Sequence, residues 1–140
     1  MDYEINPYKG VGRIEFNMSR DEVRNRIGGS FRSFTRWQED EPLSDYYQDA
    51  GVFCYYDAAD RLEALEFTSP ARPKIAGVEL LGLKFEDAFD KLCALDCTTK
   101  MDISDAIATQ LGIGIWSESA GEKSEEPVET VIAFRPGYYD

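Results

Sequence analysis

Any chemistry in this chain has to be done without histidine, which is absent from all 140 residues. That removes the commonest general base, the commonest zinc ligand and the usual switch near neutral pH. Cys93 and Cys97 stand i,i+4 around the end of a helical stretch. With one further cysteine and no histidine, two thiols make an incomplete zinc site, and the pair reads instead as small buried or half-buried helix residues. Asp57, Asp60, Glu63 and Glu66 could supply a carboxylate pair for acid–base work. Asp57 and Asp60, however, flank a tight turn, where aspartate is favoured because it bonds its own backbone. Glu63 and Glu66 are three apart on a strand and so are expected on opposite faces. Gly10-x-Gly12 has neither the third glycine nor the Gly-Lys-Ser/Thr of a phosphate loop, and it reads as a turn into a strand. No nucleophile is accompanied by a base. The expectation is a protein that is not an enzyme and uses neither metal nor cofactor.

The charge map carries more. The net charge is −12 with a pI near 4.4, which argues against nucleic acid and anionic lipid as partners, because phosphates would be repelled. Lys9 to Arg36 holds seven basic residues against three acids, net +4; Trp37 to Ala71 holds nine acids against Arg61, net −8. Tyrosines 46, 47, 55 and 56 lie among those acids. Tyrosine is enriched at interface hot spots, and acids beside it steer a basic partner. The expected partner-facing patch is therefore Asp45, Tyr46, Tyr47 and Asp49 beside the acidic turn Glu39, Asp40 and Glu41. A solvated acidic surface over ordinary sheet aromatics accounts for the same residues.

The elements that must position these residues are legible. Ser19 reads as a helix N-cap, with Glu22 completing a capping box and Met18 and Val23 forming a hydrophobic staple. The helix spans about residues 20–27, and Gly28-Gly29 stops it. Strands are expected at Phe31 to Trp37, Asp45 to Gln48, Val52 to Tyr56 and Leu62 to Phe67, the last two joined by a short hairpin turn. In the second half Phe85, Ala88, Phe89, Leu92 and Leu95 fall at helical spacing, with Lys84 at the cap position. Ile103 to Leu111, Ile113 to Trp116 and Pro127 to Phe134 read as further strands, and Ser117 to Glu126 as a polar loop. The stretch before Gly10 reads as an edge strand or arm. Val23, Ile27, Phe67, Phe89, Leu92 and Phe134 are the expected core.

The same order of elements thus occurs twice. Met18–Ile27 aligns with Leu83–Leu92, Gly12 with Gly77, Gly51–Tyr55 with Gly112–Trp116, and Glu63–Phe67 with Thr130–Phe134. The expected fold is α+β: one domain over residues 1–140, made of two helix-plus-antiparallel-meander repeats at about 10–70 and 76–136. The helices would pack on a curved antiparallel sheet, or on two small sheets. A length of 140 residues suits one domain with a sizeable core. The chain has no run long and apolar enough to span a membrane and no secretory leader, and the odd cysteine count fits reduced thiols, so cytoplasmic residence is expected.

The run Gly12-x-Ile14-x-Phe16-x-Met18-Ser19-x-x-Glu22-Val23-x-x-x-Ile27-Gly28 resembles the opening of a large bacterial fold group. Its members include tandem-repeat β-lactamase inhibitor proteins, small outer-membrane-assembly lipoproteins, and cytosolic immunity proteins encoded beside polymorphic toxins. In that group a strand meander with a Tyr-Asp … Glu hairpin follows, matched here by Tyr56-Asp57 and Glu63 to Phe67. The motif covers the first helix and its flanks well and the rest of the chain loosely, and it implies a fold rather than a chemistry. The absence of a leader and of a lipid-attachment cysteine near the N-terminus departs from the lipoprotein branch. The resemblance then implies an intracellular immunity protein that occludes a cognate basic toxin, such as a nuclease. The alternative expectation is a small-ligand-binding or scaffold module using the sheet's concave face. Oligomeric state is not legible.

Overall fold

The capping box forms as its residues dictate. Ser19 is extended (φ −66°, ψ 156°) and its hydroxyl accepts the Glu22 backbone N–H at 3.3 Å. A cap of this kind stabilises a helix by about 1 kcal/mol. Helix α1 spans Arg20–Ile27 and ends at Gly28, whose N–H closes the last turn on the Arg24 carbonyl and whose positive φ then turns the chain out of the helix. Helix α2 spans Phe85–Leu95 and starts from Lys84 with no side-chain cap. The chain is seen here as a computed structural model that describes residues 3–35, 42–118 and 126–139.

Thirteen strands accompany the helices among the described residues. They are β1 (Tyr3–Asn6), β2 (Gly10–Val11), β3 (Ile14–Glu15), β4 (Arg32–Phe34), β5 (Ser44–Tyr47), β6 (Val52–Tyr56), β7 (Leu62–Phe67), β8 (Pro73–Ile75), β9 (Val78–Glu79), β10 (Lys100–Met101), β11 (Asp105–Ala108), β12 (Ile113–Trp116) and β13 (Thr130–Phe134). Eight form a wholly antiparallel sheet in the order β10-β11-β12-β13-β7-β6-β5-β4. Five form a second sheet, β3-β2-β1-β8-β9. The fold is α+β.

In both halves the order is two short strands, a helix, then four strands. Each helix start is tied to its meander alike: Arg20 N–H donates to the Asp60 carbonyl at 3.2 Å, and Phe85 N–H to the Glu126 carbonyl at 2.8 Å. Isolated bridges pair Ser19 with Arg61 and Lys84 with Pro127. Gly51 and Gly112 turn into β6 and β12 at φ +71° and +68°; a Cβ would lie 2.3 Å from the Thr68 carbonyl oxygen in one and 2.9 Å from that of Phe134 in the other. Strands β7 and β13 pair antiparallel and so join the two meanders into one sheet.

Some elements differ from expectation. The first strand is no edge: β1 sits in the middle of the small sheet, antiparallel to β2 and parallel to β8. Strand β4 covers only Arg32–Phe34 of the expected stretch, whose end lies outside the described residues. Lys100–Met101 forms an edge strand that the sequence pattern does not announce.

The core fills the space between the helices and one face of the large sheet. Val23, Phe85, Ala88 and Leu92 from the helices join Val52, Cys54, Leu65, Phe67, Ile113, Ile115, Val131 and Ala133 in one cluster. Opposite Tyr55 and Tyr56 the register slips, and one extra residue, Glu63, is accommodated on β7. This bulge lets both Leu62 and Leu65 reach the core, which strict alternation forbids. Two expected core residues are corrected: Ile27 and Phe89 are only half-buried at its margin. The face of α2 turned to the core runs through Phe85, Ala88 and Leu92, so Phe85 rather than Phe89 is fully buried.

Candidate partner-binding surface

The acidic tyrosine patch separates in the fold. Asp45 and Tyr47 share one phase of β5 and face the core, with side-chain exposure of Asp45 at 0%. Asp45 is therefore corrected from a surface charge to a buried ion-pair centre. Its carboxylate accepts Arg24 Nε at 2.8 Å, Arg24 Nη2 at 3.0 Å, Arg20 Nη1 at 3.3 Å and the Ser33 hydroxyl at 2.8 Å. The physical reason is helical spacing: Arg20 and Arg24 are i,i+4 on α1 and flank buried Val23, so both reach over the helix toward β5. Arg20 also lies over the Tyr56 ring at 4.1 Å and Arg24 over Phe31 at 4.3 Å.

Tyr47, Tyr56 and Cys54 complete this inner cluster, and none is poised to ionise. Burial pushes all three well above their ordinary values, and their shared negative neighbourhood, including Asp45, adds to it. Tyr47 is thus also corrected, from an interface residue to a core residue. The basic first stretch and the acidic second stretch partly neutralise each other inside the molecule, since Arg20 also holds Asp60 at 2.8 Å. Asp57 and Glu63 are likewise engaged, by Arg135 at 2.9 and 3.3 Å.

Tyr46 and Asp49 stay at the surface. They line one shallow cleft of about 210 Å3 with Phe31, Arg32 and Gln48. Glu39, Asp40 and Glu41 lie outside the described residues.

The large sheet's other face carries Tyr46 of the expected patch together with residues that sequence reasoning passed over. Cross-strand registers define one row spanning all eight strands: Arg32, Tyr46, Phe53, Glu66, Ile132, Gly114, Ile107, Lys100. Tyr46 stacks on Phe53 with centroids 4.1 Å apart, and Phe34 meets Phe53 edge-on at 6.0 Å. Phe134 anchors a second aromatic group with Tyr138 and Tyr139 from the turn after β13, and with Tyr8. Tyr8 is itself held by its hydroxyl on the Thr109 carbonyl. Within this face Tyr55 and Phe134 are buried; Phe34, Tyr46, Phe53, Ile107 and Ile132 are half-exposed; Trp116 is 40% and Tyr139 57% exposed.

The face also carries a cleft of about 370 Å3 over β7, β13, β12 and β11. Gly114 forms its floor in mid-strand, where a Cβ would come within 2.9 Å of Ile132 Cγ2. Trp116, Thr130, Ile132 and Tyr139 line it, with Glu66 toward one end and Asp105 toward the other. Glu66 accepts the Tyr55 hydroxyl at 3.2 Å. Burial, then the nearby Asp102 charge, pushes the Asp105 carboxyl above its ordinary value. Glycine inside a strand and tryptophan at its end are the sequence signals that could have marked this place.

The thiols and carboxylates weighed for chemistry are dispersed. Cys93 is half-buried, Cys97 exposed and Cys54 buried on β6. Among the described residues no three of His, Cys, Asp and Glu converge as metal ligands, and no helix is long and apolar enough to cross a membrane. Glu63 and Glu66 reach different partners, Arg135 and Tyr55. No protein-family model matches the chain, and no curated protein or solved structure is significantly similar to it.

Proposed function

We propose that this protein is a non-enzymatic inhibitor that binds another protein: an intracellular immunity protein that neutralises a cognate basic toxin by covering it. In this reading the two halves are copies of one helix-plus-meander unit. They match in element order and in the ties that fix each helix start. Joined at β7 and β13, the copies present a broad sheet face that neither unit would offer alone.

The observation that carries the reading is that face. Its apolar and aromatic side chains are half-exposed on a chain of net charge −12. Clustered tyrosine, phenylalanine and tryptophan supply desolvated contact area, and the acidic balance draws in a basic partner and repels polyanions. The toxin's active groove, if it is a nuclease, is basic for the same reason that nucleic acid binds it. Carboxylates at the mouth of an aromatic face fit such a groove.

Affinity capture from cells that make the protein tests this, followed by binding at low and high salt. The expected result is a basic protein whose activity is abolished by one equivalent of this chain and whose association slows with salt. Recovery of a small metabolite with no protein partner would replace this reading with the ligand-binding module, which the 370 Å3 cleft would then serve.

A further inference from the structure

Each half lays the end of a strand against the start of a helix, and the space there is filled in one half and open in the other. In the filled site Arg135, just after β13, donates from Nη1 to Asn17 Oδ1 and to Asp57, each at 2.9 Å, and from Nη2 to Glu63 at 3.3 Å. At the opposite end of the β7–β13 pair lies a groove of about 730 Å3. Backbone bonds match the two places residue by residue. Asn17 N–H donates to the Leu62 carbonyl and Leu62 N–H to that of Met18; Gly82 N–H donates to the Val128 carbonyl and Val128 N–H to that of Leu83. Gly82 therefore answers to Asn17, and Glu129 to Glu63. Phe67 lies opposite Val52 and Ala133 opposite Ile113, each of these one residue past Gly51 or Gly112, so Ser69 answers to Arg135. The groove thus keeps a carboxylate of the filled site and has a short hydroxyl in the arginine's place. From this, and resting on the readings of the halves as copies and of the protein as an inhibitor, we infer that the groove receives an arginine side chain of the partner.

Charge and shape favour that occupant. Among the described residues the charged lining is Glu79, Glu129 and Arg72, all exposed and none held in an ion pair. Two carboxylates against one guanidinium leave the balance with a cation. Arg72 stands at the margin, since it also lines a smaller cleft beside Asp49. The filled site tolerates the same arrangement: Asp57 and Glu63 hold Arg135 while Arg61 reaches the Asn17 carbonyl at 3.5 Å. A Cβ at Gly82 would meet nothing within 4 Å, so the room that Asn17 occupies in one half stays open in the other. Leu81 and Pro127 offer apolar wall for the aliphatic stem of an arginine. Its guanidinium carries five donors and is weakly hydrated, whereas the ammonium of lysine is compact and strongly hydrated. Thr68 and Glu129, which line the groove, adjoin β7 and β13, the two middle strands of the eight. A partner laid on the aromatic face is therefore within side-chain reach of the groove.

The probe is N-acetyl-arginine methylamide, with N-acetyl-lysine methylamide as the control for charge alone. The expected result is saturable shifts of the Gly82 and Glu129 amides with Kd on the order of millimolar, as suits one anchored side chain, and weaker binding of the lysine analogue. Glu129→Gln keeps the side-chain shape and should weaken binding about threefold or more. Ser69→Arg supplies an arginine from within, as the other half does, and should abolish the saturable shifts. It should also raise the melting temperature, and should not do so when combined with Glu129→Gln. Backbone spectra unchanged away from the groove verify the fold of each variant. No saturation, equal response to the lysine analogue, or shifts spread over the acidic surface overturns the inference, as does a Ser69→Arg protein that binds the probe like the native one. Once the protein partner is in hand, unaltered affinity in Glu129→Gln and Ser69→Arg would defeat the anchor while leaving the inhibitor reading intact. Arginine binding with no protein partner recovered would overturn the inhibitor reading, and with it the partner as the source of the arginine.

Discussion

Replacing Asp45 with alanine should destabilise this protein far more than removing any exposed acid. The carboxylate is fully buried and accepts four hydrogen bonds, three of them from Arg20 and Arg24. Removing one partner of a buried ion pair typically costs about 3–5 kcal/mol, because the remaining charge is left uncompensated. Here the arginine side chains keep 12% and 29% exposure, and Arg20 retains Asp60 and the Leu43 carbonyl. Water can therefore reach them, which places the loss at the lower end, about 3 kcal/mol. Arg24→Ala should cost less, about 1.5–3 kcal/mol, since Arg20 and Ser33 still hold the carboxylate. Urea unfolding of both single variants and the double variant gives the coupling directly. With an m-value of about 1–3 kcal/mol per molar, the Asp45→Ala midpoint should fall by at least about 1 M. A loss below about 0.5 kcal/mol, the range of ordinary surface substitutions, would refute the buried ion-pair account.

Three other outcomes are expected. Phe85→Ala should cost about 3–5 kcal/mol and Phe89→Ala clearly less, because only Phe85 is fully buried; equal losses in thermal melts would show the α2 phase to be wrong. Burial alone would raise the Asp96 carboxyl, but bonds from Thr98 and from the Gln110 and Leu111 N–H groups outweigh it and hold it below its ordinary 3.8. Its contribution is thus present above that value and lost as pH falls below it, so Asp96→Asn should flatten the drop in melting temperature on acidification, and an unchanged slope would contradict this. With a chromogenic thiol reagent Cys97 should react first, Cys93 more slowly and Cys54 only on unfolding, since burial raises the Cys54 thiol; rapid labelling of all three in the folded state would contradict the burial.

The helices were legible because their signals are local. Ser19, Glu22 and Gly28 fix α1 within ten residues, and Phe85, Ala88 and Leu92 mark α2 by spacing. The α+β class followed from them. The second sheet did not, because β2, β3 and β9 are two residues long and the sheet is joined by a parallel pairing of β1 with β8 that sets Tyr3 against the distant Pro73. The site was misread at Asp45 for a similar reason. Nothing local in Ser44-Asp45-Tyr46-Tyr47 says which phase faces inward, and the arginines that neutralise Asp45 arrive from a helix more than twenty residues earlier. A clue was present: two arginines at i,i+4 flank the buried Val23, and such a pair needs an acid nearby. The cleft was invisible because its walls come from β7, β11, β12 and β13, which only the sheet order brings together.

The claim that this protein acts by covering a basic partner with its aromatic sheet face is tested most directly by photo-crosslinking from chosen positions. A benzophenone side chain at Phe53 or Tyr139 reports on that face, and one at exposed Lys91 reports on the outside of α2. In cells that make the protein, Phe53 and Tyr139 should crosslink to one and the same basic protein, and Lys91 should not. Crosslinking from Lys91 alone, or no basic protein joined to either sheet position, would contradict the account.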